Sequence, residues 1–161
     1  MKVLVISDTH GRLSNLERVL DKVCPLDLIL HLGDIEGDHE IIRSMAGCPV
    51  VAVKGNNDIF SKDPVEQVVE LGKHKVLLTH GHRHNVYFGT DRLEWRAREL
   101  GAGIVLHGHT HVPRVDLSGD VWVMCPGSLS QPRGGSGYSY IVLDIDRMGE
   151  VHPALLKQGG M

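Results

Sequence analysis

Five short apolar runs in this chain are each followed by polar residues that can bind a cation. These polar residues are, in chain order, Asp8, His10, Asp34, Asn56, His80, His109 and His111. The runs are rich in β-branched residues and lack polar alternation, which is typical of strands buried on both faces of a sheet. Because ligands of open α/β sheets bind at the carboxyl ends of the strands, we expect the seven side chains to lie together.

Helix-like segments separate the apolar runs in the first half of the chain. Three helices are expected, and the first begins with a capping box of Ser14 and Glu17. The second begins with a cap at Asp38 and ends at Gly47. The third begins with a capping box of Asp91 and Glu94 and ends at Gly101. From residue 112 onward, two β-hairpins are predicted, with turns at 118–120 and 148–149. The pattern predicts an α/β fold of two packed mixed β-sheets flanked by helices, an αββα sandwich, in one domain spanning 1–161.

Composition excludes several classes of protein. The net charge of −3 provides no basic excess for phosphate neutralisation, so we expect no stable nucleic-acid partner. The three cysteines form no CxxC pair, and we expect them to be small buried hydrophobic residues in a reducing compartment. The apolar start ends at Asp8, too early for a signal peptide, and no run approaches the roughly 18 apolar residues of a membrane helix. These features predict a cytoplasmic protein without a membrane partner.

Histidine is unusually frequent, with 11 residues in the chain. Three of them alternate in the stretch THGHRHN and would point to one side if the strand continued, although Gly81 suggests that the strand breaks. His31 and His107 precede glycines inside predicted strands. We expect these two to be packed and hydrogen-bonded rather than to bind a metal directly.

The donors at the strand ends combine carboxylate, amide and imidazole groups, a mixture that suits Mn, Fe, Co, Ni or Zn. Taken singly, Asp8 and Asp34 could equally be helix caps or turn residues, and His10 an exposed polar side chain. That ordinary explanation must be repeated at every strand end, whereas one metal site explains the whole set. The sequence therefore predicts a metal site at this edge.

The motifs D-x-H, GD, GN-x-D, H-G-H and GHTH, in this order after strands, resemble the calcineurin-like metallophosphoesterase superfamily. The small size and the stretch CPGSLSQPRGG resemble its small bacterial and archaeal phosphodiesterase branch. The resemblance extends from residue 1 to about residue 143. It implies two divalent transition-metal ions, preferably Mn with Ni, Co, Fe or Zn as alternatives. The implied ligands are Asp8, His10 and His111 for the first ion, Asn56, His80 and His109 for the second, and Asp34 as a bridge.

The resemblance also implies an activity. A bridging carboxylate would hold the ions roughly 3.5–4 Å apart, and a hydroxide between them would attack phosphorus in line. We therefore expect a metal-dependent phosphoesterase with a small phosphodiester as its substrate. Diesters are favoured over monoesters because only Arg12, Lys54, Arg83 and Arg133 could add positive charge near the motifs.

Four further residues are catalytic candidates, namely Asn57, Asp58, His82 and Arg133. Many superfamily members have a histidine at the position of Asn57 that protonates the leaving group, which an amide cannot do. Asp58 would orient a histidine, and Gly55 would let the backbone turn tightly. Two roles are considered for His82, one beside the leaving group and one as a supporting or exposed residue. Arg133 could contact a phosphate oxygen.

Three points stay open at this stage. His84 is an alternative proton donor, and Ser128 lies in a segment that the family places near the site. The family usually reads Asn-Pro-Gly-Ser where this chain has Cys125, so one hydrogen bond that fixes the backbone is expected to be missing.

The rival functions are a non-catalytic interaction scaffold, as in the related retromer subunit, and a nucleotide-binding sensor. The resemblance also allows a homodimer.

Overall fold

The structure is a computed structural model that describes residues 1–37 and 39–159. The predicted helix cap at Asp38 lies outside the described residues. Within them, the strands and α-helices are β1 (Lys2–Ile6), α1 (Ser14–Val23), β2 (Leu28–His31), α2 (His39–Ala46), β3 (Val50–Ala52), β4 (Glu66–Leu71), β5 (His74–Thr79), α3 (Asp91–Leu100), β6 (Ile104–His107), β7 (Arg114–Asp116), β8 (Trp122–Cys125), β9 (Tyr138–Ile145) and β10 (Val151–Gln158). Two 3-10 turns, His82–His84 and Val86–Phe88, connect β5 to α3.

The strands form two mixed five-stranded sheets, with the orders β10-β9-β1-β2-β3 and β4-β5-β6-β8-β7. In the first sheet β1, β2 and β3 are parallel, and in the second β5, β6 and β8 are parallel. In the first sheet β9 is antiparallel to both β1 and β10, and in the second β4 and β7 are antiparallel to their neighbours β5 and β8. The predicted α/β fold of two packed mixed sheets with flanking helices is confirmed.

The apolar runs are continuous because both faces of the central strands are covered. Val5 of β1 packs between the sheets together with Leu30 and Leu78, all three without exposed area. The neighbouring Leu4 faces the other way, onto α1 and α2. Helix α3 covers the second sheet in the same manner through Leu93 and Ala97. This double burial fixes where every central strand ends.

Two helix starts differ from the prediction. Leu13 is the residue before α1, and no side chain caps that helix. The residue before α3 is Thr90, whose hydroxyl bonds to the Glu94 carboxylate at 3.0 Å instead of capping a backbone N–H. A capping box needs the side chain of the capping residue on a backbone N–H, so the boxes predicted at Ser14 and Asp91 are wrong. The helix ends at Gly47 and Gly101 are confirmed, both with left-handed backbones.

The sequence analysis missed strand β4, which pairs antiparallel with β5 at the edge of the second sheet. Glu66, Gln67 and Glu70 in its sequence, EQVVEL, weaken the apolar signal. Only Gly72 and Lys73 separate it from β5, so the two strands form a tight hairpin. No helix within 1–37 and 39–159 is long and apolar enough to cross a membrane.

The cysteine prediction holds for two residues of three. Cys48 and Cys125 are buried, whereas Cys24 is exposed at the end of α1. Complete burial raises the pKa of the Cys125 thiol to about 12. Since the thiolate is the reactive form, burial and protonation both protect Cys125.

We expect a thiol reagent such as dithionitrobenzoate to label one cysteine per chain in the native protein, because only Cys24 is accessible among the three thiols. Peptide mapping after labelling would identify it, and Cys24→Ser should abolish the fast reaction. Rapid labelling of Cys125 in the folded protein would contradict this burial.

Candidate metal centre

The seven side chains at the strand ends converge where the two sheets meet. His80, after β5 of the second sheet, reaches the residues that follow β2 and β3 of the first. Its Nε2 lies 3.1 Å from Asn56 Oδ1, 3.4 Å from Asp34 Oδ2 and 3.2 Å from His109 Nδ1. The packing of two sheets therefore brings donors from both into one cluster.

Two groups within this cluster could each hold a metal ion. The first consists of Asp8, His10 and His111, and the second of Asp8, Asp34 and His80, with the donor atoms of each group within 4.8 Å of one another. His111 Nε2 lies 3.0 Å from Asp8 Oδ1, and His10 Nε2 lies 3.4 Å from His111 Nε2. Asp8 belongs to both groups, and Asp34 Oδ2 of the second group lies 4.0 Å from His10 Nε2 of the first, so both carboxylates stand between the two groups.

The hydrogen bonds of two histidines fix which ring nitrogen faces the cluster. His80 Nδ1 lies 2.6 Å from the Leu32 carbonyl, and His111 Nδ1 lies 2.6 Å from the Gln131 carbonyl. A carbonyl only accepts, so both Nδ1 atoms donate and the Nε2 lone pairs point toward the carboxylates. His10 Nδ1 is held in the same way by the Glu36 carboxylate. Such partners orient ligating histidines in metal proteins.

The carboxylate of Asp8 shows why a cation fits here. Its Oδ2 accepts hydrogen bonds from Ser7 Oγ at 2.5 Å and from the His109 N–H at 3.1 Å. Its Oδ1 is buried and has no hydrogen-bond partner within residues 1–37 and 39–159. A buried acceptor that faces histidine lone pairs is unfavourable unless positive charge lies between them. The donor set of oxygen and imidazole matches a transition-metal ion.

The ionisation of the cluster points to the same need for positive charge. Burial alone would lower the pKa of His80, but the Asp34 and Asp8 carboxylates outweigh it and raise that pKa. Burial likewise opposes ionisation of Asp34, yet His80 and the amide groups of Asn57 hold the pKa of Asp34 well below its usual range. The two carboxylates therefore stay charged at neutral pH and attract cations.

Three glycines allow the strand ends to approach this closely. A Cβ on Gly55 would overlap the backbone nitrogen and carboxylate of Asp34, and one on Gly108 would overlap Ser7 Oγ. A Cβ on Gly33 would lie 2.7 Å from His80 Nδ1. Gly55 begins a turn, as predicted, because the Asp58 N–H donates to its carbonyl at 3.3 Å. Its backbone is not left-handed, so the close approach of Asp34 is what requires glycine here.

Five of the seven residues have left-handed backbones, a feature that the sequence analysis missed. Their φ angles are 55° for Asp8, 46° for His10, 53° for Asp34, 71° for His109 and 59° for His111. A side chain in this region costs about 1–3 kcal/mol, and such residues cluster at functional sites. The conformation turns each side chain sharply out of its strand and into the cluster.

The family model of the calcineurin-like phosphoesterase superfamily domain matches residues 1–148, which include all seven of these residues. This chain belongs to the calcineurin-like phosphoesterase superfamily. The phosphodiesterase YfcE of Escherichia coli K12 is 32% identical to it over 171 residues, covering 91% of this chain and 89% of YfcE. The resemblance inferred from the motifs is confirmed.

Solved structures agree on the fold. A conserved protein of Streptococcus pneumoniae TIGR4, described as a predicted phosphoesterase, has a TM-score of 0.81 at 34% identity and covers 98% of this chain and 89% of its own. Vps29 of Entamoeba histolytica, crystallised with Zn²⁺, has a TM-score of 0.77 at 23% identity and covers 99% of this chain and 100% of its own. At that identity the second likeness shows the fold alone.

Asp58 has a different role from the one expected within the superfamily motif GN-x-D. Its carboxylate accepts hydrogen bonds from the backbone N–H groups of Asp34 at 2.7 Å, Gly55 at 2.9 Å and Glu36 at 2.9 Å. The prediction that it orients a histidine is therefore wrong. Asp58 fixes the loop that carries Asp34, because a buried carboxylate can satisfy several backbone donors at once.

Asn57 lies beside the cluster and contacts Asp34 twice. Its backbone N–H donates to Asp34 Oδ1 and its side-chain Nδ2 to Asp34 Oδ2, both at 2.8 Å. The amide nitrogen carries two hydrogens, so one remains for another acceptor. The structure thus gives Asn57 a positioning contact that the sequence did not indicate.

The other candidates, His82, Arg133 and His84, differ in how they lie relative to the cluster. The 3-10 turn ends the strand before His82, whose ring centroid is 5.4 Å from that of His80 and 6.0 Å from that of His109. Arg133 donates to the Tyr87 hydroxyl at 2.5 Å, and that hydroxyl donates to the His109 carbonyl at 2.9 Å. His82 and Arg133 therefore lie close to the second group, whereas the charges that act on the half-buried His84 are those of Glu66, Arg96 and Arg92.

Ser128 and Cys125 support the backbone of the site. Ser128 and Ser130 donate their hydroxyls to the Asp8 carbonyl at 2.8 and 2.7 Å. The Cys125 sulfur lies 3.6 Å from the Thr110 hydroxyl, a weaker contact than an asparagine amide would make. The bond that was expected to be missing is thus partly replaced.

We expect Gly55→Ala to lower the free energy of unfolding by about 1–3 kcal/mol, because the new methyl group must displace the Asp34 loop. Urea denaturation without added metal would measure the change. Gly103→Ala is the matched control, since a Cβ there meets no atom within 4 Å. Equal stability of the two variants would show that the close approach at Gly55 is not needed.

Proposed function

We propose that this protein is a phosphodiesterase that uses two divalent transition-metal ions, preferably manganese. The observation that carries the proposal is the buried Asp8 Oδ1, which has no hydrogen-bond partner among the residues that the structure describes and faces the Nε2 atom of His111 at 3.0 Å. The proposed ligands are Asp8, His10 and His111 for one ion, Asn56, His80 and His109 for the other, and Asp34 between them. The position of Asp8 in both groups supports it as a second carboxylate near both ions.

When bound, the two ions would supply a hydroxide nucleophile near neutral pH and neutralise the phosphoryl oxygens. Two divalent ions, two carboxylates and one hydroxide leave one net positive charge, which suits an anionic phosphoryl group. The protein positions the carboxylate of Asp34 through Asn57. The second amide hydrogen of Asn57 and the free N–H groups of Arg133 would donate to phosphoryl oxygens.

The preference for diesters follows from the surrounding charges. Lys54, one of the four cations expected near the motifs, donates to the Ile59 and Ser61 carbonyls at 3.2 and 3.3 Å. It therefore stabilises its own loop rather than a second phosphate charge. The name of YfcE, a phosphodiesterase, supports the same substrate class. The cytoplasmic location, the small substrate and a homodimer stay predictions.

The rival functions differ in what they bind. An interaction scaffold of the same fold is the second candidate, but all seven positions here keep residues able to bind a metal. Calorimetric titration with Mn²⁺ separates the two, because a scaffold with an impaired site would bind none at micromolar concentration. A nucleotide sensor would bind nucleotides without releasing product.

We expect Asp34→Asn to reduce Mn²⁺-dependent hydrolysis of bis(p-nitrophenyl) phosphate by about 100-fold or more, because losing a bridging charge costs more than the 10–100-fold typical of supporting residues. Release of nitrophenol measures the rate. Asp21→Asn, an exposed substitution on α1, is the control and should retain full activity. Equal rates for the two variants would exclude the two-metal proposal.

The amide at position 57 predicts a strong dependence on the leaving group. Because asparagine cannot protonate an alkoxide, we expect aryl methyl phosphates with leaving groups of low pKa to react far faster than alkyl diesters. A plot of log kcat/KM against leaving-group pKa should be steep for the wild type and flatter for Asn57→His. A flat wild-type plot would instead indicate that another group, such as His82, donates the proton.

A further inference from the structure

A cavity of about 280 Å³ adjoins the candidate metal centre. It is lined by Val86, Tyr87, Thr90, His107, Thr110, Val112 and Arg114. The ring of Tyr87 packs against that of His109 with centroids 4.8 Å apart, and Thr110 lies between His109 and His111 in the chain. The cavity and the metal centre therefore share a wall.

The buried part of this lining contains an acceptor without a donor. His107 is 2% exposed, and its Nδ1 lies 2.9 Å from the Gly108 carbonyl. Because a carbonyl only accepts, Nδ1 carries the hydrogen and Nε2 carries the lone pair. His107 Nε2 has no hydrogen-bond partner within the described part of the chain. Buried polar atoms of this kind are rare and call for a ligand or water.

Two other polar side chains of the lining, Thr90 and Arg114, already have hydrogen-bond partners. The Thr90 hydroxyl bonds to Glu94 at 3.0 Å, and the Arg114 guanidinium bonds to Asp116 at 2.8 Å. Val86 and Val112 provide apolar walls, and Tyr87 provides an aromatic ring. The lining therefore suits a flat, neutral molecule that presents one N–H donor.

The volume of the cavity indicates whether it holds a single water molecule or a larger ligand. One water molecule needs only about 10–15 Å³ of such space, far less than this cavity offers. We propose that the cavity binds the nucleobase of a nucleotide phosphodiester, with a base N–H group donating to His107 Nε2 and the base lying against Tyr87. Aromatic rings commonly bind bases by stacking. The location of the phosphoryl group at the metal centre rests on the proposed function, whereas binding of the base does not.

The test uses adenosine, which carries the base without phosphate, and the metal-free protein. We expect calorimetry to show saturable binding to the wild type and at least tenfold weaker binding to Val112→Phe, because the larger side chain adds bulk at an exposed residue of the lining. Leu117→Phe, a similarly exposed apolar position outside the cavity, is the control and should bind like the wild type. His107→Asn keeps a donor for the Gly108 carbonyl but places no acceptor at the position of Nε2, and should also bind at least tenfold more weakly.

The outcomes separate this proposal from the proposed function. Absence of saturable adenosine binding at millimolar concentration, or equal affinity of Val112→Phe and Leu117→Phe, would overturn the cavity proposal and leave water as the occupant. Wild-type hydrolysis of p-nitrophenyl methyl phosphate with Mn²⁺, measured in parallel, tests the metal centre alone. Adenosine binding lost in Val112→Phe, without any such hydrolysis, would support the base site and reject the phosphodiesterase. Circular dichroism of each variant would verify that it is folded.

Discussion

The Asp58 carboxylate accepts three backbone N–H bonds and so joins the loop after β2 to the loop after β3. Those loops carry Asp34 and Asn56, which must reach across to His80 of the second sheet. Gly55 lets the two loops touch, since any side chain there would occupy the position of Asp34. Because the carboxylate is buried and charged, each of its bonds is stronger than one between neutral groups. The position of Asp34, and hence the spacing of the whole cluster, depends on this one side chain.

The charge of the cluster would couple metal binding to folding. Asp8 and Asp34 are buried near one another, and the neutral forms of His80 and His111 turn lone pairs toward them. Positive charge must therefore come from protons or from ions, and the raised pKa of His80 reflects that demand. Metal ions and protons compete for the same atoms, and ions that bind only the folded protein stabilise it.

The sequence could predict which residues follow the strands, because the strand and its polar end are adjacent in the chain. Asp8, Asp34 and His80 were all placed in one cluster on that basis alone. The hydrogen-bond partners of Asp58 in the loop after β2 could not be predicted. They are the backbone N–H groups of Asp34 and Glu36, which lie 24 and 22 residues away in the chain. Strand β4 is different, since only Gly72 and Lys73 separate it from β5 and its polar residues hid a local hairpin signal. Local patterns indicate donors, whereas their supports come from tertiary packing.

Backbone strain explains why so much support surrounds the cluster. The left-handed conformation of Asp8 would relax in an unconstrained loop, but Ser128 and Ser130 both hold its carbonyl, at 2.8 and 2.7 Å. These serines come from the segment between β8 and β9, which lie in different sheets. The strained residues are thus fixed by chain segments that the core between the sheets already holds in place. Packing therefore sets the spacing of the donors before any ion arrives, and an ion would complete the charge balance rather than shape the site.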